Sequence, residues 1–215
     1  MENLVIIGSG SQARYVIDIV RAGQFYDLAG IVDIENPLNV GRRVNGVPIL
    51  CILDDLPAHF RPGDCKLIVA YGKNALKRDI VHQFEEHGFQ FGQVISPLAH
   101  VSPTAHIGEG CVINPMAVVM PNVQLGRHVV LHSLCVVEHD NVIGDFANIA
   151  PGVSLAGRVT VGEGTYIYTG ASVVPDVKIG SWAIVAAGAV VVRDVPDHDT
   201  VAGVPAASKA SEGKR

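Results

Sequence analysis

Ile107-Gly108-Glu109-Gly110-Cys111-Val112-Ile113-Asn114-Pro115-Met116-Ala117-Val118-Val119 places a branched aliphatic at every sixth residue. The series runs on through Leu125, Leu131, Val137, Ile143, Ile149, Leu155, Val161, Ile167, Val173, Ile179, Val185 and Val191 without a miss, and Ile95 and Val101 extend it backwards. A second period lies on top: Gly108, Gly126, Gly144, Gly162 and Gly180 follow one aliphatic in three, 18 residues apart. Three six-residue units per repeat predict a triangular coil with three short strands, three corners and one aliphatic per side pointing inward. Such coils stack about 4.8 Å apart through backbone hydrogen bonds. The glycine recurs once per coil, so it is read as marking one corner. Residues 98–195 hold about five such coils with no insertion breaking the phase.

The first 95 residues read differently. Leu4–Ile7 is a four-residue apolar run followed by Gly8-Ser9-Gly10-Ser11-Gln12-Ala13, and residues 12–22 read as a helix with Val16, Ile19 and Val20 on one face. A second strand runs from Ala29 to Val32 and ends at Asp33, a third from Lys66 to Ala70, and residues 75–87 form an amphipathic helix. Strand–helix–strand alternation of this kind predicts a small parallel sheet, here of about four strands. Three segments follow: an α/β domain over residues 1–95, a β-helix over 96–195, and a tail over 196–215.

The 215 residues are 48% apolar and 17% charged, enough to bury a core, which excludes a disordered chain. Net charge is −5 with no basic cluster on an expected helix, which argues against nucleic acid as a partner. The 23 glycines and scarce aromatics fit tight turns and stacked small side chains. Cys51, Cys65, Cys111 and Cys135 have no zinc-ligand spacing and read as buried thiols in a reducing compartment. The N-terminus has no cationic leader pattern, and no apolar stretch approaches the length of a membrane span. A cytoplasmic protein without membrane insertion is expected.

Gly8-x-Gly10-x-x-Ala13 follows a strand and opens a helix. It reads either as a turn that lets a phosphate approach a helix N-terminus or as an ordinary tight strand–helix turn. Asp33 ends the second strand, where dinucleotide-binding sheets place a ribose-binding carboxylate. So small a sheet argues for one nucleotide portion of a larger ligand rather than a complete dinucleotide. Val137-Glu138-His139-Asp140-Asn141 is the most polar run of the repeat region, and adding 18 to His139 gives Gly157, one coil along at the same corner. A base, a carboxylate and a backbone donor within one coil spacing are the parts for acyl transfer. The spacing alone fits a solvated corner histidine equally well. Zinc-carrying β-helix proteins of the carbonic-anhydrase type use a His-x4-His pair plus a third His. Here three residues separate His128 from His132 and six separate His132 from His139, so no metal is expected.

The Gly-Ser-Gly turn after a strand, the unbroken repeat carrying Glu-His-Asp, and the ending Gly203-Val204-Pro205-Ala206 together resemble the nucleotide-sugar N-acetyltransferases of the hexapeptide-repeat superfamily. The bacillosamine-pathway and GDP-perosamine enzymes belong there, with sialic acid O-acetyltransferases as relatives, and the resemblance covers nearly the whole chain. It implies a small Rossmann-like α/β domain followed by a left-handed parallel β-helix, a homotrimer, acetyl-CoA as co-substrate and no metal. His139 is then the general base and Asp140 its acidic partner. The Gly157 N–H polarises the thioester carbonyl, and Asn148 stands where some members carry a second histidine. The nucleotide sugar falls to Gly8, Ser9, Gly10, Ser11, Gln12, Asp33, Lys73 and His132, and CoA to Gly170, Ala187, Gly188 and Pro205. Ala207 replaces the cation that often follows the Pro-Ala ending, so Arg193 or Lys209, or else backbone N–H groups alone, would have to meet the CoA phosphates. The implied reaction is N-acetylation of a nucleotide-linked 4-amino-4,6-dideoxy sugar. O-acetylation of a sugar hydroxyl and a non-catalytic β-helix scaffold are the alternatives.

Overall fold

The structure, a computed structural model, describes residues 1–209, and the chain divides into two compact units, Met1–Pro97 and the part from Leu98 onward.

The first unit is a six-stranded sheet with helices. Its elements are β1 (Glu2–Ile7), α1 (Ser11–Gly23), β2 (Tyr26–Asp33), β3 (Arg43–Val44), β4 (Val47–Ile52), α2 (Leu56–His59), β5 (Lys66–Val69), α3 (Asn74–Glu86) and β6 (Gln90–Phe91). The strand order is β3-β4-β2-β1-β5-β6, parallel throughout except for the β3–β4 hairpin. Leu4, Val5, Ile6 and Ile7 of the central strand are all fully buried, as expected for a strand covered on both faces. Helix α1 turns Ala13, Val16, Ile17, Ile19 and Val20 inward and stops at Gln24, whose backbone is left-handed (φ 53°) and whose N–H donates to Val20 O at 2.8 Å. The sheet has six strands rather than about four: β3, β4 and the short β6 join the three whose apolar runs are legible in the sequence. The hairpin signal is Asn45-Gly46, with φ of 44° and 82°, the pair of positive angles that a two-residue type I′ turn needs.

The second unit is a parallel β-helix of two-residue strands in three sheets. One face stacks Val112–Ile113, Val130–Leu131, Asn148–Ile149, Tyr166–Ile167 and Ile184–Val185. The next stacks His100–Val101, Val118–Val119, Val136–Val137, Ser154–Leu155, Ser172–Val173 and Val190–Val191. The third runs from His106–Ile107 to Lys178–Ile179. Register follows the 18-residue spacing, Ile113 opposite Leu131 and Val119 opposite Val137. The period-six aliphatics fill the prism, each worth about 1.5–3 kcal/mol when buried. A second inward series, four residues later, escaped the sequence reading: Cys111, Ala117, Val123, Val129, Cys135, Asn141, Ala147, Val153, Val159, Thr165 and Ala171 are all fully buried. These are small residues of mixed polarity, so no single residue class reveals them.

The corners differ from the expectation. The recurring glycines do not make the turn, because left-handed backbone falls two residues later in each unit, as at His128 (φ 58°), Phe146 (φ 61°) and Trp182 (φ 57°). The glycines are there for close stacking: a Cβ on Gly108 would stand 2.4 Å from Gly126 O in the next coil. The last coil is also shorter, since Ile179 bridges to Val195 and Ile184 pairs with Thr200, two residues short of the repeat. Residues expected as a tail therefore extend the first face: Thr200–Ala202 pairs in parallel with Ile184–Val185 and antiparallel with Ala207–Ser208. Residues 210–215 of that segment lie outside the described residues.

Candidate active site

His139 and Asp140 occupy the corner that follows the strand Val136–Val137. Adjacent residues on a strand would face opposite ways. Asp140 instead has φ 58°, and this left-handed turn brings its carboxylate back to the preceding imidazole. His139 Nδ1 lies 2.7 Å from Asp140 Oδ2, with both side chains 46% exposed. An ionised carboxylate only accepts, so this contact puts the proton on Nδ1 and leaves the Nε2 lone pair able to accept a proton. The other oxygen, Oδ1, accepts from Asn122 Nδ2 at 3.0 Å, one coil back. The bonds from His139 and then from Asn122, with the charge of Arg158 adding a smaller part, hold the Asp140 carboxyl below its usual value of 3.8. Arg158 is itself clamped by Asp176, at 2.6 and 2.9 Å.

The imidazole lies over Gly157. A Cβ there would stand 2.6 Å from Cε1 and 2.7 Å from Nε2 of His139, so a bare Cα is what lets the ring occupy this place. Asn141, buried just past the corner, donates from Nδ2 to Glu138 O (2.5 Å) and Ala156 O (3.0 Å) and pegs the turn to the prism interior. Sequence reasoning missed Asn122 and Asn141. Their only signal is position, 18 residues before Asp140 for Asn122 and the second inward series for Asn141.

Asn148 is not at this corner. It sits on the face between Val130 and Tyr166, fully buried, and neither polar atom of its amide has a hydrogen-bond partner among the described residues. His132 is half-buried at the corner that follows that face, where its N–H donates to Ile149 O. Gly170 and Gly188 lie one above the other at that same corner, with φ of 70° and 66° and open space where a Cβ would be, and Ala187 is beside them. Met116 and Leu134 share that corner's column, 57% and 63% exposed. Pro205 is in the turn between Thr200–Ala202 and Ala207–Ser208, and Arg193 lines a cavity of about 500 Å³ with Asp194, Asp199 and Ser208.

In the α/β unit, Gly8 has φ 109°, and a Cβ on it would meet Ala70 O at 2.7 Å, so only glycine fits between the two strand ends. Helix α1 begins after Gly10 with no side-chain cap, leaving its first N–H groups available to an anion. Lys73 is exposed at the N-cap of α3. Asp33 is 5% exposed and committed to the protein: it accepts from the Ser9 hydroxyl, from Asn39 Nδ2 at 2.9 Å, and from the N–H groups of Asn36 (2.8 Å) and Glu35 (3.2 Å). Burial pushes its carboxyl up, but these four bonds more than offset that and hold it below the usual 3.8. In this arrangement Asp33 ties the glycine turn to the loop 35–39 and has no oxygen left over for a ribose.

Burial raises the thiols of Cys51 and Cys65 to about 11 and that of Cys135 to about 12. No group of three His, Cys, Asp or Glu is placed to hold a metal among the described residues, and no described helix is long and apolar enough to cross a membrane.

Two family models match the chain: the PglD N-terminal domain over residues 3–84, and the bacterial transferase hexapeptide, six repeats, over 104–139 and 158–193. No curated protein matches. Among solved structures, a histidine-to-asparagine variant of perosamine N-acetyltransferase from Caulobacter crescentus, in complex with CoA and GDP-perosamine, is 36% identical, with a TM-score of 0.89 and 97% of each chain covered. The acetyltransferase domain of PglB from Neisseria gonorrhoeae, in complex with acetyl coenzyme A, is 34% identical with a TM-score of 0.89, covering 96% of this chain and 98% of that one. WeeI from Acinetobacter baumannii is 29% identical with a TM-score of 0.85, covering 97% and 100%. A PglD-type α/β domain followed by a left-handed hexapeptide β-helix, and full-length similarity to these enzymes, make this chain a member of the hexapeptide-repeat sugar N-acetyltransferase family.

Proposed function

We propose that this protein transfers the acetyl group of acetyl-CoA to the 4-amino group of a nucleotide-linked dideoxy sugar, with GDP-perosamine the first substrate to test. The observation that carries the reading is the Asp140-oriented imidazole of His139 with Nε2 over the bare Cα of Gly157. The relatives crystallised with CoA, acetyl-CoA or GDP-perosamine support the substrate classes.

The sugar amine attacks the thioester carbonyl carbon while His139 Nε2 takes a proton from the nitrogen. The carbonyl oxygen becomes an oxyanion facing the Gly157 N–H. Collapse breaks the C–S bond, and the proton on Nε2 passes to the departing CoA sulfur. The products are an N-acetyl sugar and CoA. Transfer is direct: the cysteines whose thiols are raised to about 11–12 are buried and supply no nucleophile. The nucleotide is assigned to the turn Gly8–Gln12 at the uncapped start of α1, with Asp33 shaping that turn through Ser9. CoA is assigned to the Gly170, Ala187, Gly188 and Pro205 surface, with Arg193 or Lys209 toward its phosphates. We retain His132 and Lys73 as sugar-nucleotide contacts, and Asn148 as an acetyl contact that requires its amide to be uncovered.

His139 and the Gly170–Gly188 column belong to different corners of one prism, so a donor on one and a base on the other meet when two copies sit side by side. The exposed Met116 and Leu134 beside those glycines are apolar surface for such a contact. We infer a homotrimer. Light scattering at three chain masses agrees with this, whereas a stable monomer contradicts both the trimer and the shared site. Four buried cysteines that form no disulfide fit a reducing, cytoplasmic setting.

The deciding experiment is thiol release from acetyl-CoA with a panel of GDP- and UDP-linked 4-amino sugars, for wild type and His139→Ala. Turnover lost in the variant, with an amide product, supports the proposal. An ester product, or turnover only with free sialic acid, moves the acceptor to a hydroxyl, and full activity in His139→Ala removes the base.

A further inference from the structure

The side chain of Asp140 is held from two directions, and only one of them is the histidine. Oδ2 meets His139 Nδ1 at 2.7 Å, and Oδ1 accepts from Asn122 Nδ2 at 3.0 Å. Asn122 is the residue one coil back in the same corner column, with φ 60° against 58° for Asp140, so the two side chains leave the corner from matching left-handed backbones. Asn122 is in turn anchored, its N–H donating to Thr104 Oγ1 at 3.1 Å, one coil further back again. Thr104, Asn122 and Asp140 thus form a ladder of 18-residue steps that ends on the catalytic imidazole.

We propose that Asn122 is a positioning residue for the acetyl transfer: its amide fixes the rotamer of Asp140, so that Asp140 fixes the tautomer of His139. This rests on His139 being the base, as proposed above.

The reasoning is geometric. Asp140 is an exposed carboxylate on a short side chain with two staggered alternatives to its present χ1. Arg158, 18 residues on in the same corner column, is a cation whose field reaches this carboxylate. Arg158 is engaged by Asp176 at 2.6 and 2.9 Å, and Asn122 holds Asp140 from the opposite side. The groups acting on the Asp140 carboxylate are thus His139, Asn122 and Arg158, the last engaged by Asp176. Asn122 is the neutral amide among them. An amide suits the place because it donates to Oδ1 without adding a charge that would compete with the imidazole for the carboxylate. A lysine or arginine there would draw the carboxylate to itself.

The test uses Asn122→Gly and Asn122→Asp in the full-length protein. Glycine, asparagine and aspartate all accept the left-handed backbone, so both variants keep the corner. One readout is the ring 15N spectrum of histidine-labelled protein without substrate, with the His139 resonances assigned by their loss in His139→Ala. In wild type the neutral ring is expected as a single tautomer with the proton on Nδ1. In Asn122→Gly it becomes a mixture, and kcat for the panel sugar that turns over falls about 5-fold, the worth of one hydrogen bond, with KM for acetyl-CoA unchanged. Asn122→Asp sets a second carboxylate against Asp140 and produces a larger fall and a larger tautomer change. Wild-type spectra in both variants overturn the inference, and so does a fall in kcat without a tautomer change, which would mark Asn122 as merely structural. Full activity in His139→Ala overturns the base assignment itself, a separate failure from either of these.

Discussion

The imidazole of His139 occupies the space that a side chain on Gly157 would need: an added Cβ would come within 2.7 Å of Nε2. The backbone of Gly157 carries no positive φ, so alanine fits its conformation. Gly157→Ala should therefore fold and keep its melting temperature within a few degrees while displacing the ring by about 1 Å. A displacement of that size is expected to lower kcat about 10²-fold. Thermal unfolding alongside thiol-release kinetics checks both halves, and near-normal turnover would mean the ring does not work from this position.

Asp140→Asn keeps the shape and the left-handed turn but exchanges the obligate acceptor for an amide. The amide offers N–H groups as readily as oxygen and no longer dictates the tautomer. We expect kcat to drop by about 10²-fold or more with little change in KM, by analogy with the orienting carboxylate of hydrolytic triads. Steady-state kinetics on the panel sugar decides it.

The pH dependence of Asp140 follows from its partners. His139 and Asn122 hold its carboxyl below 3.8, so its folded-state value is depressed. Stabilisation from the pair is then present above the ordinary carboxylate value and is lost as pH falls through the lower, folded one. Asp140 should stay ionised from neutral pH down past pH 4. A 13C titration of its side-chain carbon should show a midpoint under 3.8, moving upward in Asn122→Gly. The same sign applies to Asp33, whose carboxyl should take up its proton in the folded protein at a lower pH than in an unfolded chain.

Asp33→Ala strands the Ser9 hydroxyl, the Asn39 amide and two backbone N–H groups. The loop 35–39 should loosen from the glycine turn. KM for the nucleotide sugar should rise more than KM for acetyl-CoA, and a urea titration should show lower stability. Equal changes in both KM values would disconnect this clamp from the nucleotide.

The thiols raised to about 11–12 by burial should be inert in the folded protein. Incubation with iodoacetamide at pH 8 should leave activity intact, and Ellman's reagent should count four thiols only after unfolding. Leu131→Ala, by contrast, empties a fully buried place in the prism and should cost about 2–5 kcal/mol in urea unfolding.

Residue spacing by itself determined the β-helix. A buried face must be apolar wherever it recurs, so one aliphatic in six from Ile107 to Val191 fixes three short sides per coil, and the glycine column fixes which coil stacks on which. It also brought His139, Asp140 and Gly157 to one corner, because in a stacked coil an 18-residue offset is a contact. Part of the α/β unit was legible in the same way, from apolar runs and the Gly-Ser-Gly turn. The hairpin at Asn45-Gly46 was passed over because β3 is only two residues long and offers no apolar run to pair with β4. Only the tertiary structure decided the rest. That Asp140 can face the residue before it depends on a backbone angle, and no residue type announces that angle in a chain where Met116, Leu134, Arg158 and Trp182 adopt it too. That Asp33 spends its oxygens on Ser9, Asn39 and two backbone N–H groups depends on how a loop folds over a turn. Periodic burial is written along the chain because hydrophobicity belongs to residues one at a time. Side-chain orientation is a relation between residues, and it exists only once the backbone has brought them together.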